Sequence, residues 1–144
     1  MTLSKSERIL AAIEAVLVGT AGLNARAPNF GVFRDRWEAI ARDEMPCLAV
    51  EPLGEEPGMT SLPFTDYTLT VSVGIFVSGS PLSTLADPIR VDAHARLMAD
   101  RTLGGLAHSI QPGPSKWEGE PGEIGVLILS YRIPFRTLTT DLTQ

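Results

Sequence analysis

Few residues in this sequence are of a type that does chemistry. His94 follows Asp92 by two positions, Cys47 stands alone, and His108 lies close after Gly104 and Gly105. A histidine held by an aspartate is an acid–base unit, and a cysteine beside a base is a nucleophile. The spacing argues against both. Residues two apart on a helix point to different sides, so Asp92 and His94 make no ready-made pair. His94 instead falls between Leu97 and Met98 on an apolar stripe, as a core or interface histidine. Cys47 sits between Pro46 and Leu48, where a free thiol behaves as a small hydrophobe and nothing electropositive lowers its pKa. His108 reads as a loop or helix-end residue. Two histidines and one cysteine, widely separated, make a poor metal set, and no GxxxxGK, GxSxG, HExxH or calcium-loop pattern occurs. No catalytic or cofactor motif is recognisable among these residues. Glu51, Glu55 and Glu56 are paired carboxylates in principle, but in a stretch rich in proline and glycine they read as solvated charge. Trp37 and Trp117 lie in irregular segments, where an indole either anchors an interface or packs on its own core. Together Trp37, Glu51, Glu55, Glu56 and Trp117 form the candidate interface set.

The elements that must position these residues belong to a modest chain. Its 144 residues suit one domain, residues 1–144, able to bury its own core. Hydrophobic residues at 44% and charged residues at 20% describe a globular protein. Lys and Arg number 12 against 17 Asp and Glu, a net charge of -5 that speaks against a protein held on nucleic acid by phosphate contacts. A lone cysteine makes no internal disulfide and suits a reducing compartment. The opening MTLSKSERILAAIEAVLVGTAG resembles a signal peptide only superficially, because Glu7, Arg8 and Glu14 interrupt what should be a uniform apolar stretch. No apolar run approaches the roughly 20 residues that cross a bilayer. The expectation is synthesis in the cytosol and no membrane partner.

Ile9, Leu10, Ile13, Val16 and Leu17 recur at helical spacing, and Ser4 with Glu7 has the form of a capping box that starts the helix. Gly19 to Gly31 reads as a connection, Val32 to Arg36 as a short strand, and Cys47 to Val50 as a strand stopped by Pro52 and Gly54. WEAIARDEMP is ambiguous, and Pro46 ends any helix there. Glu51 to Pro63 reads as an exposed acidic loop. Tyr67, Leu69, Val71, Val73, Ile75 and Val77 alternate with small or polar residues, which predicts a half-buried strand. Glu123 to Phe135 predicts a central strand covered on both faces, its Pro134 end at an edge or outside the ladder. Asp87-Pro88 predicts a helix start, with Val91, Ala95, Leu97 and Met98 as its apolar side and Asp92, Arg96 and Asp100 opposite. QPGPSKWEGEPG reads as irregular. The expected class is α+β: a mainly antiparallel, mixed sheet of about four strands with two main helices on one face.

The order of VFRDRWEAIARDEMPCLAVEP, TLTVSVGIFVSG, ARLMADRTLGGLA, KWEGEPGEIGVLILSYRIPFRT and a terminal DLT resembles the tail-terminator family of long-tailed bacteriophages and prophages, the lambda minor tail protein U type. The likeness runs from about Ser4 to Thr143 and rests on structural spacings. It implies an α+β subunit of a hexameric ring that caps the tail tube, halts its growth and offers a surface to the head–tail connector. The implied partners are further copies of the chain, the major tail-tube protein and the connector, and the implied location is the virion's tail end after assembly in the host cytoplasm. Two other readings stay open: a different head–tail junction protein, such as a tail-completion or head-closure factor, and a small enzyme or ligand-binding domain in which Asp92, His94 and Cys47 converge.

Overall fold

The alternating and apolar runs of the sequence pair into one sheet, seen in a computed structural model that describes residues 2–34, 36, 40–119 and 123–144. Helix α1 (Lys5–Leu17) starts where the Ser4 hydroxyl accepts the Glu7 amide at 3.2 Å. Glu7 does not close the box in return; its carboxylate pairs with Arg34. The helix buries Ile9, Leu10, Ile13 and Leu17, as their spacing predicts. Strand β1 (Val32–Arg34) runs parallel to β2 (Cys47–Ser61), which turns into the antiparallel β3 (Phe64–Ser78). Helix α2 (Leu82–Ala99) leads to β4 (Gln111–Gly119) and β5 (Ile124–Leu138). The strands lie in the order β1-β2-β3-β5-β4, so the sheet is mixed and mainly antiparallel. Both helices cover one face, where they meet Leu69, Val71, Val73, Ile75, Leu127, Leu129 and Tyr131. On the second face a smaller cluster joins Phe33, Met45, Cys47, Ala49, Phe76, Val126 and Ile128. The strand β5 is thus covered on both faces over its first half, as its continuous apolar run implies.

Four local expectations are corrected. The sheet has five strands rather than about four, because QPGPSKWEG is the edge strand β4 and not a loop. Glu51 to Pro63 is likewise no loop: β2 runs on through it to Ser61, with register shifts between Pro52 and Gly54 and between Pro57 and Thr60 that absorb the awkward residues. Helix α2 begins at Leu82, five residues before Asp87, and carries Pro88 inside it. Its start is set by burial of Ala86 and packing of Leu82 on the core, which outweigh the local signal at Asp87-Pro88. The same burial fixes its inner face as Ala86, Ile89, Ala93 and Leu97, leaving Val91 63% exposed and Ala95 exposed. Small alanines at the contact let the helix lie close to the sheet, and Gly125 matters for the same reason: a Cβ there would come within 2.9 Å of Leu82.

Pro134 is paired with Thr68 of β3. Since β4 ends at Gln111 opposite Arg132, the other side of β5 has no strand neighbour there, and the His108 amide donates to the Pro134 carbonyl at 2.8 Å. Of WEAIARDEMP, Trp37 to Ala39 lie outside the described residues, and Arg42–Glu44 form a single 3-10 turn. No helix among the described residues is long and apolar enough to cross a membrane.

Candidate functional site

Asp92, His94 and Cys47 do not come together. Asp92 faces the connection that follows α1: it accepts the Ala21 amide at 2.8 Å and pairs with Arg96 at 3.0 Å, and these bonds hold its carboxyl below the usual carboxylate range. Asp100, expected in the same row, instead accepts from Thr102 and the Gly104 amide and closes the turn after α2. His94 turns the other way, where its Nδ1 lies 3.0 Å from the Tyr131 hydroxyl and its ring stacks on that tyrosine. Burial pushes the Tyr131 phenol up to about 12. Cys47 lies across the sheet in the second cluster, fully buried, and burial pushes its thiol up to about 12. A thiol that stays protonated at neutral pH is no nucleophile. His108 is exposed, 3.9 Å from Asp66, whose carboxyl is held low chiefly by its hydrogen bond with Arg136. Among the described residues no three His, Cys, Asp or Glu side chains are grouped to hold a metal ion.

The interface candidates that can be placed lie on the two lateral edges of the sheet. β1 covers β2 only from Leu48 to Val50, so the rest of β2 is an open edge. Glu51, Glu55 and Glu56 stand along it. Glu55 shares the helix side of the sheet with its partner Leu69 and accepts a hydrogen bond from Ser6. Glu51 and Glu56 sit opposite Ser72 and Thr68, on the second face. There Glu56, Thr68, Thr70 and Arg132 line an open groove of about 490 Å³. Past the glutamates the β2–β3 hairpin exposes Met59 to 75% and Leu62 to 81%. Trp117 is on the opposite edge, in β4, and is 50% exposed. It pairs with Leu127 on the helix side, and the Arg90 guanidinium of α2 lies 5.7 Å from its ring centroid. Trp37 lies outside the described residues.

The spacing of charges did not single out Arg90. With His94 and Tyr131 it lines a pocket of about 80 Å³ closed by Pro112, Gly113 and Ser115 of β4. Arg90 and His94 are four apart on one helix, which was a visible signal. What they face, a strand 20 residues further on, was not.

No family model matches the chain, and no curated protein matches it. Among solved structures, a chain of one described as "Virion of native gene transfer agent (GTA) particle" has a similar fold. It is 13% identical with a TM-score of 0.63, and the match covers 90% of this chain and 95% of that one. At that identity the likeness is one of fold.

Proposed function

We propose that this protein is a structural subunit of a phage-like particle, which caps the tail tube as a hexameric ring, ends tube polymerisation and presents a surface to the head–tail connector. The observation that carries the reading is the fold shared, over nearly the full length of both chains, with a chain of a gene transfer agent virion. The order of sequence segments that resembles tail terminators narrows the role from virion subunit to cap. The side chains agree with an assembly part: the three chemistry-bearing residues point to three different places, while apolar side chains are exposed on the hairpin tip. Exposed Met59 and Leu62 at the end of a projecting hairpin suit burial on another subunit.

A tube grows by head-to-tail stacking, which stays open until a subunit with a different outer face occupies its end. A ring that binds the last tube ring with one face and shows the connector a different one ends that growth without catalysis. The test is deletion of the gene from an inducible phage or prophage, with tail lengths measured by electron microscopy. Overlong, headless tubes that return to uniform length when purified protein is supplied are expected. Tails of normal length with defective heads would move the protein to head closure.

A further inference from the structure

The small pocket between α2 and β4 is lined by hydrogen-bond donors and by no acid. From α2 come the Arg90 guanidinium and the His94 imidazole, one turn apart on the same side of the helix. From β5 comes the Tyr131 phenol, and from β4 the Ser115 hydroxyl. No aspartate or glutamate lines the pocket, although the chain has 17 acidic residues against 12 Lys and Arg. Arg90 has no carboxylate partner among the described residues, whereas Arg34, Arg36, Arg96 and Arg136 each have one. Trp117 steadies it instead, with its ring centroid 5.7 Å from the guanidinium carbon, and that contact leaves the fork of N–H donors for another partner.

The backbone of β4 is shaped around this pocket. Pro112 pairs with Tyr131 and Ser115 with Leu129, so Gly113 and Pro114 bulge opposite the single residue Ser130. Gly113 has no room for a side chain: a Cβ there would lie 2.8 Å from the Ser130 hydroxyl, which itself donates to the Pro114 carbonyl. The volume of about 80 Å³ is that of two or three waters at roughly 30 Å³ each, far below the roughly 300 Å³ at which cofactor and drug-sized sites begin. A ligand of that size, met by a guanidinium and hydroxyl groups, is a small anion.

We infer that this pocket binds a small oxyanion, of the phosphate or carboxylate kind, between helix α2 and the edge strand β4. Arg90 supplies the charge and a two-pronged hydrogen bond, and Ser115 donates from the strand. The Tyr131 phenol is 3% exposed and burial keeps it protonated, so it has one proton to give. Its 3.0 Å contact with His94 Nδ1 can run in either direction. When Nδ1 carries a hydrogen and donates it to the phenol oxygen, the phenol proton is free for the anion, and the bound anion selects that form of the ring. The anion also ties α2 to β4, a strand none of whose residues is buried. The site belongs to the single subunit and does not depend on the capping reading.

The test titrates the full-length, nitrogen-15-labelled protein with inorganic phosphate, and in a second arm with acetate, at an ionic strength held constant with sodium chloride. Amide and imidazole resonances are followed by NMR, with thermal unfolding in parallel. Saturable shifts should centre on Arg90, Gly113, Ser115 and Tyr131, the His94 ring should report a hydrogen on Nδ1, and the unfolding temperature should rise with phosphate. Arg90→Gln should bind at least about tenfold more weakly, the size expected for losing a charged hydrogen bond. Arg132→Gln removes the same charge from an exposed position on the second face and should bind as wild type. Saturable shifts at the same residues with acetate alone would uphold the site and assign it to a carboxylate. Shifts that do not saturate with either anion, that centre elsewhere, or that persist unchanged in folded Arg90→Gln would overturn it. If Arg90→Gln does not fold, the map on wild type decides by itself.

Discussion

Cys47 illustrates how burial decides the role of a side chain. It is enclosed by Phe33, Met45, Ala49 and Phe76 on the second face of the sheet, and desolvation raises its pKa to about 12. Folded protein at pH 8 should therefore resist thiol reagents and react only at the rate at which the cluster opens. Cys47→Ser places a hydroxyl in that apolar site and should cost roughly 1 to 2 kcal/mol in urea unfolding, while the folded variant still assembles. Fast labelling of the native protein, or a folded variant without assembly, would contradict a purely structural thiol. This much was legible from Pro46 and Leu48 on either side. The partner of His94 was not, because Tyr131 lies on a different element 37 residues away.

The elements show where a sequence speaks for itself and where its neighbours speak for it. β3 and β5 were legible because each buries side chains: burial writes a period of two into β3 and a continuous apolar run into the first half of β5. The outer part of β2 and the whole of β4 bury almost nothing, so their prolines, glycines and charges look like loops. Their pairing is imposed by the apolar strands beside them. Likewise the inner face of α2 rests on Ala86 and Ala93, residues too small to stand out against Val91. The position of Pro88 offers a clean test of that helix. Inside a helix begun at Leu82, the exposed Pro88 forfeits a backbone hydrogen bond, so Pro88→Ala should stabilise the protein, by about 1 kcal/mol or more in thermal unfolding. Were the helix to start at Asp87, the proline would sit favourably in the first turn and the change would be neutral or destabilising.

The whole molecule is a sheet with two helices on one face, an open β2 edge that carries three glutamates, and a hairpin that exposes apolar residues. Its class was visible in the alternation of long strands and amphipathic helices. The interface candidates could be placed only once the sheet was seen, because strand order decides which residues stand on an edge: Glu51, Glu55 and Glu56 fall on the open part of β2 and Trp117 on β4, at the opposite side of the sheet. The most direct test of capping adds purified protein to tube subunits as they polymerise and measures the length distribution by electron microscopy. A terminator should shorten tubes at amounts far below one copy per tube subunit, with density added only at the tube end. Unchanged lengths, or protein incorporated along the tube wall, would contradict capping.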